Sequence, residues 1–266
     1  MTKTKQVSVA FSGSGFRFPA HIGALQAILD GGFTVNDVAG TSGGSIVAAM
    51  YAKGFAPAKM LEIAHSTPFQ SFIQLDLAAL LLKNSINSGS ELLKWLQKYL
   101  GDATTFKDLT MPLTVVSTDL NKYDSFVFHK SITPDANVAL ACRSSASLPF
   151  IFEPVILDDK YLVDGGVSDD LPVNYLDPAN MKFAIELFES STPLKGKVNL
   201  ITLLGRVLDT FISVGNGYQI SESMNVVPVK VTTPPGLSLD TNMTDDQIDE
   251  LYTLGLEATT AIIGKL

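Results

Sequence analysis

Val35-Asn36-Asp37-Val38-Ala39-Gly40-Thr41-Ser42-Gly43-Gly44-Ser45-Ile46-Val47-Ala48-Ala49-Met50 joins an apolar run to a run of small apolar residues through a serine set among glycines. Residues 35–39 read as a buried strand, and residues 42–53 as a helix stopped by Gly54. The turn between them, Gly40-Thr41-Ser42-Gly43-Gly44, has the G-x-S-x-G spacing of a nucleophile elbow. In such a turn the residues two before and two after the serine approach so closely that a side chain would collide. Gly40 and Gly44 meet that demand. The serine then lands at a helix N-terminus, where positive partial charge favours a developing oxyanion. Taken alone, the spacing also fits an ordinary βα turn.

Around this turn, apolar runs alternate with helical patterns, which points to one α/β layer fold. Residues 6–11 read as a first buried strand. A glycine-rich turn follows, then a helix over 19–29 with Pro19 in its first turn and Gly31-Gly32 as its stop. Residues 59–86 read as largely helical and unusually apolar. Residues 90–100 form a further predicted helix, with Ser90 as N-cap and Gly101 as stop. Strands are expected at 113–119 and 125–129, and a helix at 136–144. Residues 155–157 and 161–163 flank the turn Asp158-Asp159-Lys160 and predict a hairpin. Residues 183–188 and 226–232 complete the strands. A last helix starts at Thr244, where Thr244 and Gln247 make a capping box.

The composition narrows the partners. Hydrophobic residues make up 46% of the 266 and charged residues 17%, the balance of a globular chain. The net charge is -8, with no basic cluster to neutralise phosphates, so nucleic acid is not an expected partner. The same charge opposes attraction to anionic membranes, so a peripheral membrane contact would be mainly apolar. The single cysteine, Cys142, allows no internal disulfide and suits a reducing compartment. It reads as a buried structural thiol, with a nucleophilic role as the alternative. The apolar run 7–11 is too short for a signal-peptide core, and no run reaches the length of a membrane span. The expected location is therefore cytoplasmic or at a membrane periphery.

Segment 68–82 contains Phe69, Phe72, Ile73, Leu75, Leu77, Leu80, Leu81 and Leu82, with Asp76 as its one charge. It reads equally as a core helix and as a wall or lid for acyl chains. His21, His65 and His129 are the only histidines, and none follows Asp164. A triad in the order Ser, Asp, His using Asp164 is therefore excluded. One using His129 with an upstream acid stays open, without support. All three histidines are expected on helix or strand surfaces. Asp169 and Asp170 read as a loop before Pro172, and no metal site is expected, because the stretch from Asp240 lacks the Gly and Glu of a calcium loop.

Three blocks in order resemble the patatin-like phospholipases. The first is Phe11-Ser12-Gly13-Ser14-Gly15-Phe16-Arg17-Phe18-Pro19-Ala20-His21-Ile22-Gly23-Ala24-Leu25, similar to the family's glycine-rich oxyanion loop and following helix. The second is the Ser42 turn. The third is Val163-Asp164-Gly165-Gly166-Val167-Ser168-Asp169-Asp170-Leu171-Pro172-Val173, similar to the family's Asp-Gly-Gly/Ala motif. Arg143-Ser144-Ser145-Ala146-Ser147-Leu148-Pro149 is also in family style.

The resemblance covers residues 5–190 and implies a three-layer α/β fold, with a central mostly parallel sheet flanked by helices. Residues 191–266 would complete a single domain. It implies a lipid acyl hydrolase acting on lipid or phospholipid, with Ser42 as nucleophile, Asp164 as base and no cofactor. It also implies oxyanion donors among Gly13, Ser14, Gly15 and Phe16, with Gly165 and Gly166 shaping the turn after the base. An acyltransferase using the same pair, or a lipid-binding protein of weak activity, are the alternatives. Two departures stand out. Ser14 replaces the loop's middle glycine, and Phe18 replaces its last, which implies a different entry into the helix. Arg17 reads as a positive charge near a head group or as a solvated loop residue.

Overall fold

Among the described residues, eight strands form one sheet. They are β1 (Lys5–Phe11), β2 (Phe33–Thr41), β3 (Leu113–Asp119), β4 (Asp124–His129), β5 (Val155–Leu157), β6 (Lys160–Asp164), β7 (Met181–Glu189) and β8 (Val226–Thr233). The computed structural model describes residues 5–73, 85–190 and 225–266, together with Pro193, Val198, Leu203 and Arg206. The strand order is β5-β6-β3-β2-β1-β7-β8, with β4 on β3. Strands β8, β7, β1, β2 and β3 run parallel, while β4, β5 and β6 pair antiparallel.

Alternation along each strand separates two cores. Val7, Val9 and Phe11 of β1, with Phe183 and Ile185 of β7, face the larger core beneath the helices. Ala10, Ala39 and Ala184 face the other way and meet Leu171, Val173 and Leu176 of the segment after β6. Small residues at these positions let that segment lie close on the sheet.

Among the described residues, the helices are α1 (Pro19–Asp30), α2 (Gly43–Ala52), α3 (Pro57–His65) and α4 (Phe69–Phe72), followed by Ser90–Leu100, Val138–Ser145 and Asp245–Ile263. Nearly every residue of α2 is buried. Its run of glycine, alanine and serine lets it pack against β1, β2, β3 and several helices at once.

Several expectations are corrected. The helix predicted over 59–86 stops at His65. The hydroxyls of Ser66 and Thr67 turn back to the Ile63 carbonyl at 3.1 and 2.7 Å, and Pro68 supplies no N–H to continue. Ile86 and Asn87 are not helical, because their amides donate to the Phe150 and Ile151 carbonyls at 3.0 and 2.9 Å. The apolar stretch 74–82 lies outside the described residues, while Phe69 and Phe72 are core residues.

Ser90 is not the N-cap of its helix. Gly89 takes that position in a left-handed conformation, φ 69°, fixed by the Asn87 Oδ1 that accepts its N–H at 2.6 Å. The helix expected over 136–144 begins at Val138, since the Asn137 side chain caps it by accepting from the Leu140 N–H at 2.8 Å. The Thr244–Gln247 capping box forms as expected.

Candidate active site

Strand pairing brings the second and third motifs together. β4 pairs with β3 along residues 114–119. The opposite edge of β3 is then shared by two strands, β2 along 113–116 and β6 along 117–119. Thr41 sits opposite Val116, and Asp164 opposite the next residue, Ser117. The parallel strand and the antiparallel strand therefore meet head-on at one point of β3. Ser42 leaves at the end of one, and Asp164 stands at the end of the other. The Ser42 hydroxyl donates to Asp164 Oδ2 at 2.7 Å.

The glycines are required by close approach. Ser42 holds φ 52° and ψ −127°, a strained conformation for a non-glycine residue. A Cβ on Gly40 would overlap the backbone at Gly44 and Ser45, and one on Gly44 would overlap the Phe11 and Ser12 carbonyls. A Cβ on Gly165 would strike the Val116 carbonyl. These absences let the turn, the helix and Asp164 approach one another. Ser145 locks the strained turn. Its hydroxyl accepts the Ser42 N–H at 2.8 Å and donates to the Val116 carbonyl at 2.5 Å. Two residues on, the Ser147 carbonyl accepts the Asp164 N–H at 2.9 Å. One helix end thus holds the backbone of both residues.

Asp164 is only 5% exposed. Burial pushes its carboxyl up to about 7, against the hydrogen bonds from Ser42 and the Gly166 N–H, with a smaller upward push from the Asp170 charge.

The first loop wraps over Ser42. Gly15 takes φ 55°, whereas Ser14 at φ −141° needs no left-handed backbone, so serine is tolerated where a glycine was expected. Gly43 makes room for the Ser14 hydroxyl, because a Cβ there would overlap it. Of the four expected donors, two are engaged within the chain. Gly13 N–H meets Asp170 Oδ1 at 3.0 Å, and Phe16 N–H meets the Ser238 carbonyl at 2.9 Å. The Ser14 and Gly15 N–H groups have no hydrogen-bond acceptor among the described residues.

Phe18 is buried against Phe69 and Trp95, in a cluster that includes Phe16 and Phe72, and the chain passes through it straight into α1. Arg17 is not a solvated loop residue. It is 6% exposed, with Nε donating to the Ser14 carbonyl at 3.2 Å and Nη1 to the Thr233 hydroxyl at 3.0 Å.

His21 is corrected as well: it is fully buried rather than on a helix surface. Its Nε2 lies 2.8 Å from the Ser12 carbonyl, at the base of the loop, and burial lowers its pKa to about 3, so it is neutral. His65 lies at the end of α3, with its two ring nitrogens 3.0 Å from Asp245 and 3.0 Å from Asp249. Cys142 is buried with its thiol pushed up to about 12, the state of a structural cysteine.

Asp170 and Ser145 had no role assigned from sequence. The signal for Ser145 was available: Arg143-Ser144-Ser145-Ala146-Ser147 places three hydroxyls at the end of an apolar helix. Asp170 reads as part of a loop before Pro172 and gives none.

The chain is similar to known proteins in sequence and in fold. The patatin-like phospholipase family profile matches residues 9–177, and the chain belongs to that family. An uncharacterized protein of Acanthamoeba polyphaga mimivirus is 29% identical over 181 residues, covering 64% of this chain and 61% of the relative. An uncharacterized NTE family protein of Mycobacterium tuberculosis is 28% identical, over 65% of this chain and 46% of the relative. The chain thus spans about half to three fifths of these relatives. The uncharacterized YqhO of Bacillus subtilis is 25% identical over 94% of this chain and 95% of its own.

Among solved structures, VipD from Legionella pneumophila superposes with a TM-score of 0.61 at 15% identity, over 99% of this chain and 67% of VipD. The type III effector ExoU superposes with a TM-score of 0.55 at 14% identity, over 98% of this chain and 53% of ExoU. At such identities the likeness is one of fold. It agrees with a central, mostly parallel sheet flanked by helices. Membership in a phospholipase family supports lipid hydrolase activity. Among the described residues, no helix is long and apolar enough to cross a membrane.

Proposed function

We propose that this chain is a lipid acyl hydrolase that cleaves fatty acyl esters through a Ser42 acyl-enzyme, with Asp164 as the base. The observation that carries the reading is the 2.7 Å hydrogen bond from the Ser42 hydroxyl to a buried carboxylate whose pKa is raised to about 7. A carboxylate is an efficient base only when its pKa lies near the working pH, and burial moves Asp164 there.

In the first half-reaction Ser42 Oγ bonds to the ester carbonyl carbon while its proton passes to Asp164. The carbonyl oxygen becomes an oxyanion facing the Ser14 and Gly15 amides and the N-terminus of α2. Collapse of the intermediate breaks the bond to the alcohol, which leaves with the proton from Asp164. In the second half, Asp164 takes a proton from water, the resulting hydroxide attacks the acyl carbon, and the fatty acid departs as Ser42 recovers its proton. Gly165 and Gly166 serve by letting the carboxylate come close.

Ser42→Ala is expected to lower turnover of a short-chain p-nitrophenyl ester by at least about a thousandfold, with an unchanged circular dichroism spectrum. Wild-type turnover in that variant would remove Ser42 from the mechanism. Product analysis with an added alcohol separates a hydrolase from an acyltransferase, since the hydrolase releases free fatty acid throughout.

A further inference from the structure

The Asp-Gly-Gly loop brings two carboxylates to the site, and only Asp164 has a role in the steps above. The other, Asp170, lies six residues on and is 5% exposed. It grips one amide twice. Gly13 N–H faces Asp170 Oδ1 at 3.0 Å and the Asp170 main-chain carbonyl at 3.3 Å. A Cβ on Gly13 would overlap Asp170 Oδ1 and lie 3.6 Å from Ser42 Cβ. The carboxylate and Ser42 therefore both border the space that a side chain on Gly13 would fill.

We propose that Asp170 is a positioning residue that sets the Gly13–Ser14–Gly15 loop at the height from which its amides reach an oxyanion on the Ser42 adduct. The proposal rests on the reading of Ser42 as nucleophile. Its physical content is a three-point suspension. Asp170 holds the loop at Gly13, Arg17 holds the Ser14 carbonyl, and the Ser238 carbonyl holds the Phe16 N–H. The amides of Ser14 and Gly15 hang between these anchors. One residue accepts the same amide through both its side chain and its main chain, so the Asp170 anchor is a stiff one. It also ties the loop to the segment that carries Asp164, so donor and base move together. An oxyanion donor displaced by an ångström loses most of its effect on the transition state, while substrate binding elsewhere is unaltered.

The test uses the full chain as wild type, Ser42→Ala, Asp170→Ala and Asp170→Asn, with p-nitrophenyl butyrate turnover and the rate of labelling by a fluorophosphonate probe. Asp170→Ala is expected to lower kcat at least about 30-fold with KM within about threefold, below the roughly hundredfold to thousandfold loss of an oxyanion donor outright. Labelling should slow in step, because the phosphonyl oxygen occupies the same position. Asp170→Asn keeps an oxygen for Gly13 and should recover kcat to within about fivefold of wild type.

Should Asp170→Ala fail to fold, Asp170→Ser, a smaller polar truncation, is read in its place. Wild-type kcat in the truncation overturns the proposal. So does a folded Asp170→Asn as impaired as the truncation, which would make the charge rather than the bond the cause. A wild type no more active than Ser42→Ala overturns the nucleophile reading and this proposal together. Activity lost in Ser42→Ala but kept in Asp170→Ala sinks this proposal alone.

Discussion

Asp164 meets two donors, the Ser42 hydroxyl and the Gly166 N–H, in a place from which bulk water is excluded. Burial outweighs both bonds and holds its pKa near 7, which carries two consequences. The first concerns rate. Activity should rise with pH along a limb centred near 7, as the carboxyl loses its proton, and Asp164→Asn should lower kcat at least about a hundredfold. An initial-rate profile from pH 5 to 9 checks the limb, and a flat profile would detach Asp164 from proton transfer. The second concerns stability. A folded pKa above the unfolded value means the folded state holds its proton more tightly. The group's effect on stability is then most favourable below the unfolded value, near 4, and is lost as pH rises through about 7. Asp164→Asn should therefore melt higher than wild type at pH 8, with the gain gone by pH 4. Calorimetry at the two pH values measures it.

His21 shows how little a lone residue reveals. In sequence it reads as a helix-surface residue. In the fold it is neutral, buried and bonded to the Ser12 carbonyl below the first loop, with its ring edge-on to Phe11.

At the scale of elements, α1 and the helix Asp245–Ile263 cross with almost no side chain between them. A Cβ on Gly23 would overlap the Tyr252 carbonyl, and one on Gly255 would overlap the Ala20 carbonyl. Each glycine rests on the other helix's backbone. Gly23→Ala or Gly255→Ala should destabilise the chain by about 1–3 kcal/mol, because neither rigid backbone yields to a methyl group. Urea titration reads the loss, and an unchanged midpoint would contradict the packing. His65 joins α3 to the same helix through Asp245 and Asp249, and the hydrogen bond to Asp245 leads in raising its pKa. Element existence was largely legible. Boundaries were less so, because Asn87, Asn137 and the Ser66-Thr67-Pro68 turn fix helix ends through side-chain bonds that periodicity does not record.

Across the whole molecule, the site draws on residues far beyond the stretch with family motifs. β8 supplies Thr233 to Arg17, and Ser238 just after it holds Phe16. β8 also pairs with β7 along eight residues, and the helix Asp245–Ile263 covers α1. A chain ending at Ser190 should therefore lose the cooperative unfolding transition and ester hydrolysis together. Thermal denaturation followed by near-ultraviolet circular dichroism would show it, and a cooperative, active fragment would refute it.

The sequence by itself determined the turn at Gly40–Gly44, the order of three motifs and the absence of a histidine after Asp164. Local sterics and chain order are written in adjacent residues. Only the tertiary structure decided that β2 and β6 meet end to end on β3, that Ser145 locks the strained turn, and that Asp170 and Ser238 occupy the Gly13 and Phe16 amides. Those facts depend on which strand shares an edge with which, and no local spacing encodes a pairing between segments distant in the chain.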